Sequence, residues 1–111
     1  MIIYISGAIT GTDDYMERFA RAEKELTEQG YSVINPAKVN AQLPEDTSYE
    51  EYMKMCFCML DMCDNICMLK DWEKSCGANR EYGYALAKDM IIMYEKERTN
   101  EQYIFVPCKA N

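Results

Sequence analysis

The chain has 111 residues, 49% of them apolar, and a formal net charge of −7. That length fits one domain, read here as residues 1–111, with enough apolar content for a packed core, which excludes a disordered chain. No apolar run approaches the roughly 20 residues of a membrane span, and the acidic balance, with no Lys/Arg cluster to offset it, excludes duplex nucleic acid as a partner.

The start, MIIYISG, lacks a basic segment and a small-residue cleavage site, so no secretory leader is expected and a cytoplasmic location is. Ile2–Ser6 is a β-branched run ending at Gly7, which predicts a buried strand and a turn. GAITGTDD follows, with Thr12 and Asp13 as candidate helix caps. From Asp14 to Gln29, Tyr15, Phe19, Ala22 and Leu26 recur at helical spacing, and Gly30 suits the helix end. YSVINP predicts a second strand stopped by Pro36. Residues 37–47, AKVNAQLPEDT, read as one long irregular connection, a lid or an interface loop.

Ser48 and Glu51 have capping-box spacing. The helix they start carries Tyr49, Tyr52, Met53, Cys56, Met59, Leu60 and Cys63 on one face, a stripe that suits a core or a subunit interface. NICML predicts a third strand and KDWEK a loop. Ser75 caps a helix over Cys76 to Lys88, with Ala78, Tyr82, Ala85 and Leu86 on its inner side. MIIMY is a fourth strand and Tyr103–Pro107, YIFVP, a fifth. The role of residues 95–111 stays open between a last strand, a subunit clasp and a tail.

Six cysteines in so small a chain raise the question of a disulfide scaffold or a metal site. Cys56, Cys58, Cys63 and Cys67 lie inside periodic apolar segments, there is no C-x-x-C pair, and histidine is absent. Reduced, mostly buried thiols are the reading that spacing supports, with no metal.

Strands alternating with helices predict right-handed crossovers and a mainly parallel sheet of about five strands in a three-layer α/β sandwich. Ligands of such sheets sit beyond the carboxyl ends of the strands. The loops at that edge are Gly7–Thr12, Lys70–Ser75 and 36–47. Tyr4 on the first strand, the backbone N–H groups of SGAITG, and Glu81 one turn into the last helix converge there. Ser75 and Gly77 open that helix, where free N–H groups favour an anion.

Three passages carry a resemblance: YISGAITG, LDMCDNICML, and the W-E-K-S-x-G-A-x-x-E-x-G-x-A pattern over Trp72–Ala85. Together they resemble the nucleoside 2-deoxyribosyltransferase superfamily, in its branch of short phage and bacterial proteins, related to the 2′-deoxynucleoside 5′-monophosphate N-glycosidases. The resemblance covers Met1 to Tyr94 and implies a flavodoxin-like fold, a pocket completed by a neighbouring subunit in a homodimer or larger assembly, and no cofactor. It implies Glu81 as the nucleophile that attacks C1′ of the deoxyribose and Tyr4 as the residue that orients it. Ser6, Gly7, Ile9, Gly11, Trp72, Ser75 and Gly77 are assigned to substrate contact. Serine at position 75, where the transferases carry an aspartate, implies a nucleotide with a 5′-phosphate, since serine and a helix N-terminus accept an anion that a carboxylate repels. The family's acid, an aspartate that protonates the leaving base, falls at Cys56, whose thiol has an ordinary pKa of about 8.5 and is a poor proton donor.

Each of these residues also has a plainer reading. Glu81 suits a solvated helix, Tyr4 a core, Ser75 a simple cap and Gly7 and Gly11 a turn. Trp72 suits either base stacking or packing beneath its loop. Asp64 suits a structural acceptor, and Lys74 and Arg80 suit surface cations. The functional expectation is cleavage or transfer at the N-glycosidic bond of a small deoxynucleotide or nucleoside. The alternatives are nucleotide binding without turnover, motivated by Cys56, and a purely structural or partner-binding role.

Overall fold

A computed structural model describes residues 1–95 and the backbone of residues 105–108. Its elements are β1 (Ile2–Ser6), α1 (Tyr15–Glu28), β2 (Ser32–Ile34), α2 (Pro36–Asn40), α3 (Tyr49–Asp61), β3 (Asn65–Met68), a 3-10 turn (Trp72–Lys74), α4 (Cys76–Ala87), β4 (Ile91–Glu95) and β5 (Phe105–Cys108). The five strands form one sheet in the order β2-β1-β3-β4-β5. The first four are parallel, and β5 runs antiparallel along β4 at the edge. That is the flavodoxin-like strand order, which reverses direction between β1 and β3. The expected fifth strand is present over Phe105–Cys108; Tyr103, Ile104 and the rest of the tail lie outside the described residues.

Side-chain alternation along β1 divides the core into two layers. Ile3 and Ile5 pack with Phe19, Ala22 and Leu26 of α1 on one face. Tyr4 packs with Cys56, Met59 and Leu60 of α3 and Ala78 and Ala85 of α4 on the other. A strand buried on both faces needs apolar residues at odd and even positions alike, which IIYIS supplies except at Ser6. Ser6 is nevertheless fully buried. A buried hydroxyl needs a partner, and it finds one outside the sheet.

The helix ends follow their caps. The Ser48 hydroxyl accepts from Glu51 N while the Glu51 carboxylate accepts from Ser48 N, a complete capping box. Gly30, at φ 98°, takes the left-handed position after α1, where Tyr31 N returns to the Leu26 carbonyl. At the front of α1 the cap position is Asp14, not Thr12 or Asp13; the Thr12 hydroxyl closes its own turn onto the Ile9 carbonyl. Asp64 acts as the structural acceptor, its Oδ2 taking the Ile2 N–H at 3.0 Å.

Residues 37–47 are not wholly irregular. Asn35 caps a short helix through its side-chain oxygen and Pro36 occupies the first turn, so α2 fills residues 36–40 before the loop begins. Proline ends a strand, but it also starts a helix, because the first-turn N–H it lacks has no partner in any case. No described helix is long and apolar enough to cross a membrane. Of the cysteines with described side chains, all free thiols, Cys56 and Cys67 are buried and Cys63 half-buried, but Cys58 and Cys76 are exposed, so the expected burial holds for only part of the set.

Gly7 leaves β1 against Leu69: a Cβ there would lie 3.0 Å from Leu69 Cβ and 3.2 Å from its Cδ1. Gly7→Ala is therefore expected to destabilise the fold by about 1–3 kcal/mol through overpacking, read as a lowered midpoint in urea denaturation.

Candidate active site

The sheet's carboxyl edge carries a cavity of about 430 Å³. Its lining draws on five segments: β1 and its turn from Tyr4 to Thr10, Tyr15 and Phe19 of α1, α2 with the loop after it as far as Glu45, Tyr49–Cys56 from α3, and Ser75–Glu81 from α4. Glu81 is buried, at 6% exposure. Its carboxylate accepts the Tyr4 hydroxyl at 2.6 Å on Oε2 and the Ser6 hydroxyl at 2.7 Å on Oε1. Both distances fall in the short range of hydroxyl-to-carboxylate bonds.

The local sequence explains the contact. Tyr4 and Ser6 are two apart on a strand, so both face α4. On α4 the buried residues are Ala78, Glu81 and Ala85, spaced three and four apart along one helical stripe. Two alanines flanking the glutamate bring the helix close enough for the strand's hydroxyls to reach it. The expected inner side included Tyr82 and Leu86; instead Leu86 is exposed and Glu81 occupies the stripe. Hydropathy alone places a charged residue outward, and the two hydroxyls reverse that rule.

Burial raises the Glu81 pKa above the ordinary carboxylate range, while hydrogen bonds from Tyr4, Ser6 and Cys56 pull the other way. The Tyr4 phenol is held well above its usual value, chiefly by burial and then by the Glu81 charge, so it stays a donor. Cys56 is pushed up to about 11, first by burial and then by the charge of Glu81. Its thiol therefore keeps its proton at neutral pH. Cys56 Sγ also accepts from Asn40 Nδ2 at 3.4 Å.

At the mouth of α4, Ser75 Oγ accepts the Ala78 N–H at 3.1 Å, and Asn79 fixes the entering chain by donating to the Ser75 and Glu73 carbonyls. Gly77 keeps this end open: a Cβ there would stand 3.5 Å from both Tyr49 Oη and Met53 Sδ. Arg80 faces away, in a two-point pair with Glu50 at 3.0 and 3.2 Å and over the Tyr49 and Phe57 rings. Among the described lining residues there is no lysine or arginine.

The cavity thus brings together Tyr4, Gly7, Ile9, Cys56, Ser75, Gly77 and Glu81, with Ser6 behind Glu81. It does not bring in Trp72, whose ring lies against Tyr82 with centroids 4.6 Å apart, nor Gly11, which takes its turn at φ 81°. The Ser6 hydroxyl, expected at the substrate, donates to the Glu81 carboxylate. Asn40, Tyr49 and Tyr52 are lining residues that the sequence reading missed as site residues. The Asn-Pro start of α2 was the available signal for Asn40. No group of three or more candidate metal ligands occurs among the described residues.

A profile of the family described as "Domain of unknown function (DUF4406)" matches residues 1–94. No curated protein matches the chain. Among solved structures, a 2-deoxyribosyltransferase from the psychrotolerant bacterium Bacillus psychrosaccharolyticus is similar, with a TM-score of 0.70 and 18% identity. The match covers 85% of this chain and 71% of that one. That likeness establishes the fold.

Glu81 gives a stability signature. A carboxyl whose folded pKa is raised binds its proton more readily folded than unfolded, so its ionisation lowers stability as pH rises above the ordinary carboxylate range. Glu81→Gln is expected to raise stability at pH 7 by about 1 kcal/mol, and this gain should shrink as pH falls through the Glu81 pKa. Thermal denaturation of both proteins from pH 4 to 8 checks it; a gain independent of pH contradicts it.

Proposed function

The chain belongs to the DUF4406 family, and from that membership and the site we propose that it acts at the N-glycosidic bond of a 2′-deoxynucleoside, with a 5′-monophosphate as the preferred substrate. One observation carries the reading: a buried carboxylate, held by two hydroxyl donors, forms part of the wall of a cavity large enough for a nucleotide. The structural neighbour, described as a deoxyribosyltransferase used for nucleoside synthesis, supports the substrate class.

In this reading Glu81 attacks C1′ and forms a glycosyl ester while the base leaves with the bonding electrons. Water or a second base then displaces the ester, which regenerates the carboxylate. Tyr4 and Ser6 hold the two oxygens so that one lone pair faces the sugar, and their donation favours the ionised carboxylate against the burial that raises its pKa. Ser75 and the open Gly77 end of α4 receive the 5′-phosphate. With no cation in the lining, that anion is held by N–H groups and hydroxyls. The remaining expectations, one domain over 1–111 and a homodimer or larger, belong to the same proposal.

Cys56 favours a second reading, binding without turnover. A thiol held near 11 supplies no proton to a departing base. The two readings separate in one assay: a panel of deoxynucleotides is incubated with the protein, and free base and a sugar adduct on Glu81 are sought by mass spectrometry. The enzyme reading expects both, with loss of at least a thousandfold in Glu81→Gln; nucleotide-dependent stabilisation with no base released supports binding alone.

The pH dependence adds a check. Activity needs ionised Glu81, so the rate should fall on acidification through its raised pKa. Tyr4→Phe and Ser6→Ala each remove a donor that lowers that pKa. Both should move the acidic limb of kcat/KM to higher pH, and a limb that stays fixed argues against Glu81 as the reacting group.

A further inference from the structure

We propose that Cys56 is a positioning residue that orients the Asn40 amide, whose oxygen then reads a hydrogen-bond donor on the departing base and so favours bases bearing an exocyclic amino group. The inference rests on the nucleotide reading above and specifies its base.

Two observations support it. Asn40 ends α2 in the cavity wall, with Nδ2 on Cys56 Sγ at 3.4 Å. Its Oδ1 is buried with no hydrogen-bond partner among the described residues. Asn65 Oδ1 is also unpartnered, but Asn65 lies in β3 and is absent from the cavity wall. Among the described residues, Asn40 alone combines an orphan acceptor with a place in the cavity wall, where a ligand could satisfy it.

The thiol sets which way the amide turns. Cys56 Sγ takes the Asn40 NH₂ group at 3.4 Å, so the nitrogen end of the amide meets sulfur through a lone pair and the oxygen faces away. In this reading Cys56 holds the base reader in its place in the wall.

A fixed acceptor welcomes an amino group and opposes another acceptor. Adenine-type and cytosine-type bases present an exocyclic amine beside a ring acceptor. The corresponding edge of a 6-oxopurine presents two acceptors. A base lacking the donor leaves Oδ1 buried and unpaired, a loss that sites built around a hydrogen bond translate into strong discrimination.

The test compares 2′-deoxyadenosine 5′-monophosphate with the analogue in which hydrogen replaces the 6-amino group. Base release is measured on the wild-type protein, and Kd on the inert Glu81→Gln protein. The amino compound should be preferred by about tenfold or more. Asn40→Leu should bring the ratio to about one. Cys56→Ser, whose hydroxyl still accepts from the amide, should retain the preference, and Cys56→Ala should weaken it. Equal handling of the two nucleotides by the wild-type protein, or a preference that survives Asn40→Leu, overturns the inference and leaves the nucleotide reading standing. Absence of both binding and cleavage overturns the two together.

Discussion

A carboxylate buried without a cation is the constraint around which this site is organised. Removing such a charge from water costs several kcal/mol unless hydrogen bonds replace the lost hydration. Here the Tyr4 and Ser6 hydroxyls supply that replacement at 2.6 and 2.7 Å, with the Cys56 thiol beside them. Neutral donors differ from an ammonium or a guanidinium in a way that matters for chemistry. They stabilise the charge while leaving it electrostatically uncompensated, which is what the proposed attack on an electron-poor carbon requires. A lysine in place of Ser6 would satisfy Glu81 and quench it.

The rest of the edge follows from making room beside that group. Ala78 and Ala85 let α4 lie close to the sheet, and Gly77 keeps its N-terminal end clear of Tyr49 and Met53. The reversal of strand order between β1 and β3 separates α1 from α3 and α4, and the cavity lies at their divergence. On the solvent side, Arg80 ties α4 to Glu50 in the first turn of α3 and lies over two rings of that helix. Because Arg80 directly precedes Glu81, this brace helps set the rotation of α4 that turns the carboxylate inward.

The strands and long helices were legible because their signals are local. β-branched runs, the Ser48–Glu51 capping box and Gly30 each fix an element from a few neighbouring residues. The pairing of Tyr4 with Glu81, 77 residues apart, came from resemblance and not from periodicity. Helical patterning alone assigned Leu86 to the inner side and left Glu81 off it, because it weighs a glutamate as solvent-seeking wherever its partners lie. The same limit hid the hydrogen bond from Ser6 to Glu81 and the place of Asn40 in the wall, since each depends on a contact between separate segments. Trp72 left two readings open, base stacking and packing beneath its loop, because the sequence does not show that its ring lies against Tyr82.

The alternation along β1 carries one more implication. Ile3 and Ile5 build one core layer while Tyr4 and Ser6 serve Glu81 on the other side of the sheet. Slipping this strand by a single residue would send the isoleucines toward the glutamate and leave both hydroxyls stranded in hydrocarbon. Misthreading therefore forfeits foundation and chemistry at one stroke, and natural selection on either would police the other.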